Sequence, residues 1–202
     1  MRSGIYGPVS QLITVKDKYS AAIETALGAA VQNIVVDNET DAKRAMGFLK
    51  EHRAGRATFL PITAIKGRVL SEQGLDDQYG FVSIASDLVS YDNKYSEIIR
   101  WLLGRTAVAE DIDSAIAIAK KYSYRFRIVT LDGQVINAGG SMTGGSRVQN
   151  AGILSEAMRL KDLKALLLQC KKSLTGCSRI TSFCRRMPLP QRRSLRAPRA
   201  TF

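Results

Sequence analysis

The chain reads as an α+β protein of two similar strand–helix–strand lobes, flanked by the start of a coiled-coil helix. Three observations predict this. Short apolar runs of strand length alternate with longer stretches whose apolar residues recur at helical spacing. The order of segments then repeats: helix, Leu27-Gly28, strand, helix, basic turn, strand is matched by helix, Leu103-Gly104, strand, helix, basic turn, strand. A glycine-rich run, Leu131 to Ser146, closes the second half.

The elements follow in order. Val9 to Val15 alternates as a strand does, and Tyr19, Ile23, Ala26, Leu27 and Ala30 then share a helical face that ends near Gly28. Asn33 to Val36 is a short apolar strand. Asn38 or Thr40 caps the next helix, whose inward face is Ala42, Ala45, Met46 and Leu49 and which stops near Gly55. Ala57 to Leu60 is a strand ended by Pro61. Lobe I therefore covers residues 1–66, and the polar, acidic stretch 67–80 is expected to be a linker. Lobe II covers 81–154. It opens with a strand at Phe81 to Ile84 and a helix capped by Asp92 or Asn93, with Tyr95, Ile98, Ile99 and Leu102 inward and Trp101 packed at its rim as core. Thr106 to Ala109 is a strand, and Asp111 or Asp113 caps a helix with Ile112, Ala115, Ile116 and Ala119 inward. Arg127 to Leu131 and Val135 to Asn137 form a hairpin through Asp132-Gly133.

Glycine loses much conformational freedom on folding, so four glycines in seven positions, Gly139-Gly140 and Gly144-Gly145, need a physical reason. A phosphate cradle is one, but no lysine follows either pair as a P-loop requires, and no helix starts in time for a dinucleotide fold. A flexible turn explains one pair more easily than two. The third reading is a sheet edge where another backbone packs closely, including one from a second subunit. This reading accounts for both pairs and makes Gly139, Gly140, Ser141, Met142, Thr143, Gly144 and Gly145 the candidate interface, with Met142 as its plug.

The net charge of +12 is unevenly placed. Residues 1–154 carry 18 Lys and Arg against 16 Asp and Glu, a net of +2; residues 155–202 carry 12 against 2, a net of +10. The sequence from 155 to 169 starts as a coiled-coil helix, with Met158, Leu160, Leu163 and Leu167 near heptad spacing. From 170 to 202 the pattern fails, and high charge with several prolines predicts disorder or an out-of-frame tail that binds polyanions loosely. On the body, Lys50, Arg53, Arg56, Arg125, Arg127 and Arg147 are the candidate DNA contacts.

Nothing predicts catalysis. The single histidine, His52, lies on a polar helix end with no activated nucleophile, and Asp76-Asp77 reads as a solvated pair. Cys170, Cys177 and Cys184 lack zinc-site pairing. We expect no enzyme activity, no metal and no cofactor. No apolar run is long enough for a bilayer and no signal pattern opens the chain, so a cytoplasmic protein without a membrane partner is expected.

Five stretches carry a resemblance: Gly4-Ile-Tyr-Gly-Pro-Val9, Ala21-Ala-Ile-Glu-Thr-Ala-Leu-Gly28, Gly55-Arg-Ala-Thr-Phe-Leu-Pro61, Tyr124-Arg-Phe-Arg-Ile-Val-Thr-Leu131 and Gly139-Gly-Ser-Met-Thr-Gly-Gly145. Over about Gly4 to Leu154 the chain resembles the hinge domain of bacterial structural maintenance of chromosomes (SMC) proteins. The resemblance implies a homodimerising body that joins two coiled-coil arms, with the paired glycines at the contact, in a nucleoid-associated assembly for chromosome condensation and segregation. The family's ATP-binding head is expected to be absent, since the chain has no Walker A sequence. Some relatives carry a basic cluster after the second glycine pair; here only Arg147 is basic in Ser146 to Gly152. A DNA-binding module is the alternative expectation.

Overall fold

The computed structural model describes residues 4–145, all within one unit spanning Met1–Met158. The expectations for Arg147, the coiled-coil start at 155–169 and the tail with its three cysteines lie outside the described residues.

The first lobe is built on a three-stranded sheet. β1 (Ile5–Pro8) runs antiparallel to β3 (Ile34–Val36), which runs parallel to β4 (Phe59–Pro61). One helical turn, α1 (Val9–Leu12), the short strand β2 (Ile13–Val15) and α2 (Asp17–Leu27) lie between β1 and β3; α3 (Glu39–Glu51) crosses from β3 to β4. The second lobe repeats this plan. β5 (Phe81–Ile84) is antiparallel to β7 (Thr106–Ala109), and β7 is parallel to β8 (Arg127–Thr130). A 3-10 turn, β6 (Val89–Tyr91) and α4 (Ser96–Leu103) come between β5 and β7, and α5 (Ile112–Lys121) comes before β8. β9 (Val135–Ile136) and β10 (Met142–Thr143) extend this sheet, giving the order β10-β9-β8-β7-β5.

The repeat reaches individual hydrogen bonds. Asp37 N–H donates to Gly4 C=O and Glu110 N–H to Gly80 C=O, at 2.7 and 2.8 Å. The Asn38 side chain caps α3 by accepting from Asp41 N–H, and Asp111 caps α5 by accepting from Ser114 N–H. Both helices end alike, with Ala54 N–H reaching Leu49 C=O and Tyr124 N–H reaching Ala119 C=O. The two lobes are joined by strands that correspond in the repeat: β2 pairs antiparallel with β6, Thr14 opposite Ser90. One core, with Ile13, Ile23, Val35, Ile98, Leu103, Val108 and Val129, runs beneath both sheets; a second, with Ala115, Ile118, Ile128 and Ile136, fills the outer face of the second lobe under α5. Successive residues of β7 and β8 serve alternate faces, Val108 and Val129 inward and Ala107 and Ile128 outward, as the pleat requires.

Several expectations are corrected. Val9 to Val15 is not one strand. Val9 and Ile13 are a helical turn apart while Ile13 and Val15 are two strand positions apart, so the apolar pattern satisfies both periods, and the chain uses each in turn. Met46 does not face inward but is 51% exposed, because the stripe α3 turns toward its sheet is Ala42, Ala45 and Leu49. Trp101 is not core but 52% exposed. The stretch 67–80, expected as a linker, packs on the second lobe: Leu70 and Leu75 are buried in the second core, Leu70 N–H donates to Gly104 C=O, and the Tyr122 hydroxyl donates to Gln73 C=O.

The Asp111 cap makes a pH prediction. Its hydrogen bonds from Ser114 hold the carboxyl below the ordinary carboxylate value. A carboxylate whose folded pKa is depressed stabilises above the unfolded value of about 4, and that contribution is lost as pH falls through the lower folded value. Asn also caps well but does not titrate. The melting temperature of D111N is therefore expected to approach that of the unsubstituted chain as pH is lowered from about 5 toward 2, which thermal denaturation at several pH values checks.

Candidate functional site

The glycine-rich run begins where β9 ends. Asn137 N–H donates to Ser141 C=O at 2.8 Å and Gly140 N–H to Asn137 C=O at 3.0 Å, closing a tight reversal that sets β10 beside β9. Gly139 N–H also donates to Tyr124 C=O at 2.9 Å, which ties the reversal to the end of α5. β10 pairs through Met142 with Ile136 and Thr143 with Val135, and its other side is the outer edge of the five-stranded sheet. Gly139, Ser141, Met142, Thr143, Gly144 and Gly145 are exposed. Met142, at 53%, is among the most exposed large apolar side chains described. An apolar, unpaired edge strand is a template for another strand.

The glycines separate by cause. Gly139, Gly140 and Gly145 have φ of +88°, +95° and +143°, where a Cβ is strained, so their own backbone explains them. Gly144 has no such φ. A Cβ there would meet only the tip of Gln134, 3.3 Å away, and a flexible side chain moves aside readily. Among the described residues nothing else accounts for its bareness.

The first lobe also exposes a strand edge. β1 is the outer strand of its sheet, and Ile5 is 44% exposed. Beside it, Ile5, Ile34, Ala45, Phe48, Leu49 and Phe59 line an apolar cleft of about 390 Å³. In the second lobe the corresponding outer face is closed by Leu70, Leu75 and Ile136. Tyr6 on β1 is clamped from the other lobe. It meets Tyr95 edge to face at 5.6 Å, the Lys94 ammonium lies over both rings at 4.5 and 4.7 Å, and the Tyr6 hydroxyl donates to Asp37 at 3.3 Å. Desolvation and the Asp37 carboxylate raise the Tyr6 pKa.

The candidate DNA contacts are not brought together as a set. Arg127 is half-buried, its guanidinium donating to Ala26 and Thr25 C=O at the end of α2 at 2.9 and 3.1 Å, with Nε left without a partner. Burial pushes its pKa down. It caps a helix C-terminus across the lobes. Arg125 is engaged with Glu72 at 3.3 Å. Lys50, Arg53 and Arg56 are exposed around the end of α3, with Glu51 among them. His52 is there too, its ring stacked on Phe48 and its Nδ1 2.9 Å from Phe48 C=O. Among the described residues no cluster of His, Cys, Asp or Glu is placed to hold a metal ion, and no helix is long and apolar enough to cross a membrane. Replacing Arg127 by Met should lower stability by about 2 kcal/mol, the worth of a charge-assisted pair of hydrogen bonds, without altering the salt dependence of DNA association. Chemical denaturation and a salt titration check this.

Two features escaped the sequence reading. β1 was hidden by Gly7 and Pro8, which break an alternating pattern, and β6 is only three residues long.

A family model described as the SMC proteins flexible hinge domain matches residues 2–119. The chain is 42% identical over 176 residues to the chromosome partition protein Smc of Lactiplantibacillus plantarum, and 40% identical over 173 residues to that of Bacillus subtilis. These alignments cover 85% and 84% of this chain but about 15% of each relative, so the chain spans a small part of their length. Among solved structures, an asymmetric dimer of the Geobacillus stearothermophilus SMC hinge domain is similar at 45% identity and a TM-score of 0.74, covering 87% of this chain and 72% of that one. The Pyrococcus furiosus SMC hinge domain is similar at 34% identity and a TM-score of 0.62, covering 73% of this chain and 76% of that one.

Proposed function

Because this chain belongs to the family of SMC flexible hinge domains, we propose that it is a homodimerisation module joining two coiled-coil arms of a chromosome-partition ATPase. Its partner is a second copy of the same chain, and its place is the cytoplasm, on the nucleoid. The exposed edge strand β10, with the bare Gly144 at its end, is the observation that carries this reading. Gly139 to Gly145 form the contact, and the free edge of β1 with its apolar cleft is the complementary surface on the other copy. Backbone pairing supplies affinity and Met142 an apolar anchor for the cleft. The hinge reading assigns the body no catalytic step and no cofactor.

Sedimentation of the whole chain tests it. A dimer at low micromolar concentration is expected, and a chain carrying Gly144→Ala, the one glycine of the run without a positive φ, should sediment as a folded monomer. Dimerisation untouched by that change would remove the glycine edge from the interface.

A further inference from the structure

Trp101 is the chain's one tryptophan, and its place on α4 has no structural explanation within the fold. Residues 66–69 cross that helix at close range. A Cβ on Gly67 would lie 2.4 Å from Arg100 Cβ and 2.7 Å from Trp101 N, and Gly67 N–H donates to the Glu97 carboxylate at 3.0 Å. Past the crossing, Leu70 anchors to Gly104 C=O. The crossing gathers Lys66 and Arg68 from one segment with Arg100 and Arg105 from the other, all exposed, around Trp101 and the 42%-exposed Val69. Only Arg100 is neutralised, by Glu97 at 3.4 Å. Lys66, Arg68 and Arg105 have no ion pair or side-chain hydrogen bond among the described residues, and neither does the indole N–H of Trp101.

We propose that this surface docks an acidic polypeptide segment carrying one apolar anchor side chain. An apolar centre with a charged rim is the anatomy of a protein interface, and tryptophan and arginine are the residues that most often dominate such interfaces. Like charges held together without counter-charge repel one another, and an acidic partner relieves that while being steered toward the site. A nucleic-acid strand fits less well, since it calls for a succession of stacking faces. Among the described residues the other strongly exposed aromatic side chains are Phe48, stacked on His52 in the first lobe, and Tyr79, near the start of α5, so Trp101 stands apart from them. The patch lies on α4 and the 66–69 segment, and the inference does not depend on how two copies meet.

The test uses the full chain and the indole as reporter. Random peptides of about a dozen residues displayed on phage are selected against the chain, and the enriched ones are titrated while tryptophan emission is followed. Enriched sequences should be acidic with a single Leu, Ile or Phe, and should shift the emission. Measured by the anisotropy of fluorescein-labelled peptide, since W101A carries no indole, W101A should weaken their binding at least about 30-fold, and the pair R68E/R105E about 10-fold with a shallower salt dependence, at unchanged melting temperature. Three results overturn the proposal. They are selected sequences that are not acidic; peptides that bind W101A as tightly as the unsubstituted chain, which marks the basic tail as their target; and a shift of Trp101 emission by oligothymidylate when no peptide shifts it, which marks a nucleic-acid surface.

Discussion

A chain carrying Gly144→Ala is expected to sediment as a folded monomer at micromolar concentrations at which the unsubstituted chain is dimeric. The cause is steric and local. Among the described residues the new methyl meets only the end of Gln134, and the backbone at 144 is not in the left-handed region, so the described fold accommodates it. In the proposed dimer, a strand of the second copy lies where that methyl would go. Losing a central contact there should raise the dissociation constant on the order of a hundredfold, equivalent to about 2.7 kcal/mol. The melting temperature of the isolated fold should move by no more than about 2 °C. Gly139→Ala and Gly140→Ala are the informative contrast. At φ of +88° and +95° each carries a backbone penalty of about 1–3 kcal/mol, so these variants lose stability whether or not a second copy is present. A Gly144→Ala dimer as tight as the original would show that the edge strand faces something other than its twin.

Gly104→Ala is expected to cause the largest loss of stability of any single methyl added to this chain. Its Cβ would sit 2.4 Å from Arg100 C=O on one side and 2.4 Å from Arg68 C=O on the other. Both neighbours are main chain, one in the last turn of α4 and one in the segment crossing it, and neither can rotate away as a side chain would. Relief requires lifting the crossing segment, which also breaks the Leu70 N–H bond to Gly104 C=O and draws Leu70 out of the second core. Overpacking of this kind costs about 3 kcal/mol or more, a fall of roughly 10 °C in melting temperature for a body of this size. Gly28→Ala provides the control. It has φ of +51° but open space around its Cβ, so it should cost only the backbone penalty, about 1–2 kcal/mol. Equal effects at the two sites would mean that the crossing segment is less tightly held than its contacts imply.

How much of this was legible in the sequence depended on how local the cause was. The helix caps Asn38 and Asp111, the strand Thr106–Ala109 and the repeated plan of the lobes were all readable, because each rests on neighbours within a few residues or on a pattern seen twice. The glycine pairs announced a sheet edge, and β10 lies there. What the sequence hid was long-range. Arg127 looked like any surface arginine until α2, a hundred residues earlier in the chain, presented two carbonyls to it. The segment 67–80 looked like a linker because Leu70 and Leu75 are isolated among polar residues with no period to betray their burial. Trp101 was assigned to the core on residue type alone, yet the inward side of α4 was already filled by Ile98, Ile99 and Leu103.

The pairing of β2 with β6 also bears on how the molecule is made. Thr14 leaves the ribosome long before its partner Ser90 is synthesised, so the strand waits on the order of several seconds at bacterial elongation rates with its ladder unmet. Neither half owns a complete interior, since Ile13 and Ile98 belong to one shared cluster. Two separately expressed pieces divided between residues 66 and 80 should therefore be poorly soluble apart and should reconstitute one another when produced together, as complementing halves of a single folding unit.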